Sequence, residues 1–300
     1  MQDEKFTDTI PGTFAVAGAL CVVCSLLVST LAVGLIPYKE ANKKLAIQRE
    51  VVSVSGLMDA EQLGSASADD ITTMFKSKVR KQLIDLSTGE VVDAESVGID
   101  LESYKGDESA SKEGMGAPIP AEQDLAQITN KETYGAVFQI LDKEGEEEKL
   151  TQIVLPIRGK GLWSTLKGFI ALQMDASTVN GITYYEHGET PGLGGEVDNK
   201  NWKAKWVGKT VRNDQGEVVI SVIKGTVEPS TPDAGQKIDG LAGATITSRG
   251  VESMLHFWLG ENGYGPYLST LGHGSESHDS ESPAKDEQSH AEHKEGKDAH

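Results

Sequence analysis

Cysteine is almost missing from this 300-residue chain: Cys21 and Cys24 are the two present, and both lie in one apolar run. Everything after residue 24 is cysteine-free, which excludes a disulfide framework for any soluble part. Such a domain is indifferent to the redox state of its compartment, which fits export. Positive charge is scarce too. Lysine and arginine total 28 against 46 acidic residues, a formal net charge of −18. A nucleic-acid partner needs a basic surface, so no nucleic acid is expected. The same balance disfavours broad docking of the soluble part on anionic lipid. The Gly-x-Gly-x-x-Gly dinucleotide fingerprint is also missing, which argues against NADH binding on this chain. What remains is an ordinary hydrophobic content of 38%, enough for one large domain or two small ones with appendages. The 33 glycines, many in short clusters, read as tight turns.

Residues 12–36 carry no charge. About 20 such residues cross a bilayer as a helix. The run is longer than a signal-peptide core, acidic residues precede it, and no small-x-small cleavage site is evident. An uncleaved anchor is therefore preferred to a cleaved signal. Lys39, Lys43, Lys44 and Arg49 follow the span and only Lys5 precedes it, which by the positive-inside rule puts the large domain in the cytoplasm. Cys21 and Cys24 share a helix face. They could ligate metal with other chains, or pack with Gly18, Ser25 and Ser29 at a helix contact. The second reading is preferred, and no metal site is assigned.

Residues 38–58 continue as a helix, with Leu45, Val51, Val52 and Leu57 on one face. A polar helix follows, then a strand at Arg80–Leu86, a turn at Ser87–Glu90 and Val91–Val92. The segment 102–122 is charged, aperiodic and rich in Gly and Ser, and reads as a surface excursion. Tyr134–Leu141 and Leu150–Ile157 form a hairpin around an acidic turn, and Gly168–Met174 is a strand. Glu217–Val227 is expected as a further strand, turning at Asn213–Gly216. Short strands with few helices indicate α+β with a largely antiparallel sheet. The chain divides into a short arm (1–11), the span (12–36), a membrane-proximal region (37–130), a sheet domain (131–271) and a tail (272–300). The tail holds five of the seven histidines and almost nothing apolar. It cannot bury enough surface to fold, and loose metal binding is the alternative.

The sharpest segment is Asp239-Gly-Leu-Ala-Gly-Ala-Thr-Ile-Thr-Ser-Arg-Gly-Val, ahead of a helix with Val251, Met254, Leu255 and Trp258 on one face. Gly240, Gly243 and Ala244 allow a sharp turn and a close approach. Thr247 or Ser248 is expected to cap the helix. Its N-terminus suits a phosphate, and the Thr245 hydroxyl could be esterified by a phosphate-bearing ligand. A plain turn with a cap is the competing reading. Glu189-Thr-Pro-Gly-Leu-Gly-Gly-Glu is a loop in which Gly192, Gly194 and Gly195 expose backbone amides. In Gly159-Lys-Gly-Leu-Trp-Ser, Trp163 either stacks on a ligand or packs in the core.

These segments resemble the FMN-binding-domain family, and together they are similar to the C subunits of sodium-translocating NADH:quinone oxidoreductases, over residues 10–271. The resemblance implies one transmembrane helix followed by an FMN-binding domain. In the family the last hydroxyl of the Asp-containing motif carries FMN as a phosphoester; here that is Thr245 and not Thr247. Asp239 matches the motif, and Ala242 departs from the usual Ser or Thr. Asp239, Gly243, Ala244 and Thr247 are implied as cofactor-binding residues beside Thr245. Thr190, Gly192, Leu193, Gly194 and Trp163 are implied at the ring. No side chain is expected to be catalytic, because the flavin carries the redox change. The implied partners are the other subunits of the complex, a flavin transferase and the lipid bilayer. The implied location is the cell inner membrane, with the domain extracytoplasmic, against the lysines after the span. A related Rnf-type ferredoxin:NAD complex, or a non-redox anchored binding or assembly protein, are the rival readings.

Overall fold

The computed structural model describes residues 9–144 and 147–273. The acidic turn at 145–146, most of the arm and all but the start of the tail lie outside them. The chain begins with α1 (Ile10–Val54), 45 residues long and about 68 Å at 1.5 Å per residue. Its start is set locally: the Thr9 hydroxyl accepts from Gly12 N at 3.2 Å. Pro11 occupies the first turn, where its missing N–H costs nothing. Among the described residues this is the one helix long and apolar enough to cross a membrane. The first part of α1 exposes its large apolar side chains as far as Tyr38, whereas Val51, Val52 and Val54 near its end are buried. One continuous helix thus serves two environments.

Two short helices follow, α2 (Ala60–Ser65) and α3 (Ala68–Lys78), each opened by a capping box: Asp59 with Gln62, and Ser67 with Asp70. Next come β1 (Val79–Asp85), β2 (Val91–Val92), α4 (Gly106–Ser109), β3 (Gly116–Pro118) and β4 (Asn130–Glu132). Then β5 (Tyr134–Glu144), β6 (Glu147–Lys160), β7 (Thr165–Gln173) and β8 (Val179–Glu186) run as a meander, followed by α5 (Lys200–Ala204), β9 (Ser221–Ile223), β10 (Lys237–Asp239), α6 (Thr245–Leu259) and α7 (Gly265–His273). The main sheet has the order β2-β1-β5-β6-β7-β8, and every pair in it is antiparallel. This is the α+β class with an antiparallel sheet that the sequence indicates. The pairing of β1 with β5 joins residues on both sides of position 130 into one sheet.

Side chains alternate across a strand, so this sheet has two buried faces. On β6, Ile153, Leu155 and Ile157 join the core shared with α6, while Val154 points into a second core with Val51 and Val54 of α1. Each large apolar side chain buried this way contributes about 1.5–3 kcal/mol.

Two expectations change. Glu217–Val227 is not one long strand. Only Ser221–Ile223 is extended, because it pairs in parallel with Lys237–Asp239 in a separate two-stranded sheet, and Arg212↔Val218 is a single bridge. The 102–122 segment is not purely superficial either. Tyr104, Ser109 and Ala110 are buried, and the Tyr104 hydroxyl donates to the Tyr134 carbonyl at 2.5 Å.

Candidate functional site

Helix α6 is clamped against the end of β6 by backbone proximity. A Cβ on Gly250 would come within 2.2 Å of the Lys160 carbonyl oxygen, and one on Gly159 within 2.6 Å of Met254 Cβ. Both positions have to be glycine for the helix to lie this close. Trp258 Nε1 donates to the Arg158 carbonyl at 2.7 Å, and the Arg158 guanidinium lies 4.9 Å from the Trp258 ring centroid. Arg158 is itself held by a buried bidentate pair with Glu132, at 2.8 and 2.5 Å. The four helix residues read from the sequence as one face, Val251, Met254, Leu255 and Trp258, are all buried.

Three loops converge at the N-terminus of α6, and one carboxylate joins them. Glu189, on the loop after β8, is 5% exposed. Its oxygens accept from Leu162 N (3.2 Å), Trp163 N (2.9 Å) and Ser164 N (3.2 Å) of the β6–β7 loop, and from Thr247 Oγ1 (2.7 Å) on α6. Burial alone pushes the Glu189 carboxyl up. The Thr247 hydroxyl and the three backbone amides outweigh it, so its pKa lies below the ordinary glutamate value. Close approach is again secured by glycine: a Cβ on Gly194 would meet Thr247 Oγ1 at 2.6 Å, and one on Gly161 would meet Glu189 Oε1 at 2.6 Å. In the sequence Glu189 only heads a motif, with no role of its own. Its partners are 25 to 58 positions away, and no local spacing announces them.

Thr245 is the first residue of α6 and is exposed. Among the described residues no side chain caps the helix, which leaves its first-turn amides without a side-chain partner there. This corrects the expected cap. The Thr247 hydroxyl is committed to Glu189, and Ser248 Oγ accepts from Leu241 N at 3.0 Å. Both hydroxyls brace the turn from beneath, where Thr247 and Ser248 are buried. Gly243 adopts φ +69°, the left-handed conformation that favours glycine, and a Cβ there would meet Leu193 Cδ2 at 3.0 Å. Ala244 is buried and Ala242 exposed.

Asp239 closes β10. Its Oδ1 accepts from Val227 N at 3.0 Å, its other oxygen pairs with Lys205, and its carbonyl accepts from Trp202 Nε1 at 2.9 Å. Burial raises the Asp239 carboxyl, but Lys205, the Val227 amide and Lys209 hold it below the ordinary aspartate value. Asp239 therefore fixes the entry to the turn.

Of the ring-loop residues, Thr190 and Gly192 are exposed and Gly194 is buried. The Gly195 amide is already bonded to the Thr190 carbonyl at 2.9 Å, which corrects the expectation that it is free. Trp163 is 66% exposed, so it is no core residue; Leu193 is 44% and Ile246 56% exposed. Large apolar side chains thus stand in solvent on the β6–β7 loop, on the loop after β8 and on the first turn of α6, around an uncapped helix start and an exposed hydroxyl. Water-exposed apolar groups gathered this way mark a ligand or partner surface.

Residues 161–260 match the FMN-binding domain family. The span takes in all three loops. Over 259 residues the chain is 41% identical to the C subunit of the Na(+)-translocating NADH-quinone reductase of Pseudomonas aeruginosa, covering 86% of this chain and 95% of that protein. The corresponding protein of Neisseria meningitidis serogroup B is 39% identical over 270 residues, 89% and 97% of the two chains. This chain belongs to the family of C subunits of Na(+)-translocating NADH-quinone reductases. The crystal structure of Shewanella oneidensis NqrC superposes with a TM-score of 0.66 at 29% identity, covering 78% of this chain and 98% of that one. A match over 259 residues extends well beyond the 161–260 domain.

Proposed function

We infer that this chain is the electron-carrying flavin subunit of a Na⁺-translocating NADH:quinone reductase, anchored by α1 and carrying FMN as a phosphoester on Thr245. The observation that carries the attachment is an exposed threonine hydroxyl at a helix start with no side-chain cap, beside exposed apolar residues on loops that Glu189 fixes. These features fit FMN. Uncapped first-turn amides and the positive end of the helix dipole suit its phosphate. Trp163, Leu193 and Ile246 offer apolar surface to its ring. When bound, FMN supplies reversible electron acceptance and release.

The chain's own residues position rather than react. Asp239 and Gly243 shape the turn that presents Thr245, with Ala244 buried behind it. Thr247 and Gly194 make the contact through which the helix and the ring loop share Glu189. Thr190, Gly192 and Leu193 form the rim. The partners are the other subunits of the complex, and a flavin transferase installs the group.

An extracytoplasmic domain on the inner membrane is part of this reading, against the lysines after the span. Those lysines have a different use within the fold. Lys43 pairs with Glu108 at 3.0 Å and Lys44 with Glu102 at 2.6 Å, while Arg49 donates to the Leu63 carbonyl. They dock α1 onto its own domain, which weakens them as a signal of orientation.

The test is the intact mass of the full chain co-expressed with a flavin transferase, together with in-gel fluorescence after denaturation. The expected result is an addition of one FMN less water, lost in Thr245→Val with secondary structure unchanged. Flavin that stays covalently bound to Thr245→Val rules out this site.

A further inference from the structure

On the face of the sheet opposite α6, a cavity of about 470 Å³ opens between α1 and the 102–107 segment. Nothing in the flavin reading uses it. Its floor is a row of aromatic rings laid across the strands. Phe75 meets Phe138 with centroids 6.1 Å apart, Phe138 meets Phe169 at 5.8 Å, and Phe169 meets Tyr185 at 5.2 Å. Its volume falls in the range of small-molecule sites. One wall is the stretch of α1 from Glu40 to Gln48. Glu40 is four residues past the apolar run, about 6 Å along the helix axis. That distance is the depth of the lipid headgroup layer, roughly 5–8 Å on each side of the hydrocarbon. By this count the α1 wall of the cavity begins at headgroup depth, within reach of lipid.

The charges around the cavity are mostly spent on one another. Lys43 and Lys105 pair with Glu108, Lys44 with Glu102, Lys105 also with Glu40, Lys167 with Asp107 and Glu186, and Arg158 with Glu132. Lys81 is the exception. Among the described residues no carboxylate lies within ion-pair distance of it. Its ammonium donates to the Leu101 carbonyl (2.7 Å) and the Tyr104 carbonyl (2.9 Å), and it stands 5.9 Å from the Phe138 ring centroid. An ammonium has three protons, and two are accounted for. Burial pushes the Lys81 pKa down to about 8, with Glu102 and Asp100 opposing it. A desolvated lysine in an apolar slot, short of a counter-ion, is completed by an anion.

We propose that this cavity holds one acyl chain with an acidic head, drawn from the bilayer, with the chain along the Phe75–Phe138–Phe169–Tyr185 row and the head at Lys81. The net charge of −18 repels anions from the rest of the surface. Lys81 is the local exception, so binding is confined to this pocket. The proposal is independent of the flavin and of Thr245.

The experiment uses the full chain in phosphatidylcholine nanodiscs, photolabelled with diazirine-bearing palmitate and mapped by peptide mass spectrometry. The expected labels fall on strand peptides containing Phe138 and Phe169, and excess palmitate removes them. Ala41→Trp, an exposed change at the cavity wall on α1, abolishes them and leaves flavin attachment and far-UV circular dichroism unchanged. Lys81→Gln weakens labelling about tenfold, the scale of one charge-assisted hydrogen bond. Labels confined to the 10–36 span overturn the proposal. So does equal labelling by the uncharged diazirine hexadecanol, or loss of the strand labels when the chain is in its assembled complex, where a partner segment would fill the slot.

Discussion

The α6 face of the main sheet and the membrane-ward part of its α1 face are built by opposite means. On the α6 face, contact is backbone to backbone. Gly159 and Gly250 remove the side chains that would separate helix from strand, and a buried carboxylate collects three amide donors from the β6–β7 loop and one hydroxyl donor from α6. On the α1 face, the last turn of α1 packs closely, with Val51 and Val54 in a buried core and the Val54 carbonyl 2.5 Å from where a Cβ on Gly181 would stand, but farther toward the membrane span contact is through long side chains. Half-exposed lysine–carboxylate pairs span the gap, and an aromatic-floored cavity remains between them. The first arrangement is stiff, because its contacts are close and its polar groups committed. The second is adjustable, because surface ion pairs are weak and readily exchanged for water. A subunit that must hold a redox group in place, yet be anchored to a moving lipid surface, has use for both. The contrast also explains where glycine is required: it is dictated where backbones touch and not where lysines reach.

The sharpest way to break the α6 face is Gly250→Val. A Cβ already overlaps the Lys160 carbonyl, and neither backbone can yield without lifting the helix off its core. The expected loss is about 3 kcal/mol, the upper part of the overpacking range, together with loss of flavin attachment. Urea unfolding of the domain and in-gel flavin fluorescence measure the two. An unchanged unfolding midpoint would show that the helix sits farther from β6 than described.

Next in size is Glu189→Gln, which keeps the shape but removes the charge and offers amide protons where four donors already point. About 2 kcal/mol is expected, within the range for hydrogen bonds to a charged group. Glu189 also gives a pH signature. Its folded pKa is depressed, so its contribution is fully present above the ordinary glutamate pKa and is lost as pH falls through the lower folded value. Stability of the wild-type chain should therefore fall on acidification by more than that of Glu189→Gln. Parallel unfolding curves for the two below pH 5 would deny the clamp its charge.

Much of this face is legible in the sequence, and the reason is locality. The turn before α6, its apolar stripe and the glycine-rich loop are each contiguous, so glycine, periodicity and a family motif reveal them. The hairpin of β5 and β6 is legible for the same reason. Strand β8 is not, since its Asn180-Gly-Ile-Thr start mixes polar residues and glycine, and it meets β7 through a register that shifts twice. The Glu217–Val227 stretch has strand composition over its whole length, but its pairing partner, Lys237–Asp239, is three residues long. Partner length, a non-local fact, limits the strand. The expected caps fail similarly. Thr247 and Ser248 are good capping residues by type, yet tertiary partners, Glu189 and the Leu241 amide, claim their hydroxyls. The cavity is invisible in the sequence because its floor comes from α3, β5, β7 and β8, no two of which announce one another.

The α1 face yields the smallest effects, and their smallness is informative. Lys44 and Glu102 are 56% and 80% exposed as a pair, so Lys44→Ala should cost less than about 0.5 kcal/mol. Lys43 and Lys105 share Glu108, and Lys105 also holds Glu40. Replacing both with alanine removes three pairs, for about 1 kcal/mol at low salt and nearly nothing at 1 M, where the screening length is about 3 Å. The unfolding midpoint of the double variant, measured at both salt concentrations, decides between the two descriptions of this face. A salt-dependent difference fits helix docking through solvent-exposed charges. A larger, salt-independent loss would mean that these lysines are as desolvated as the groups around Glu189, and that the two faces are built alike.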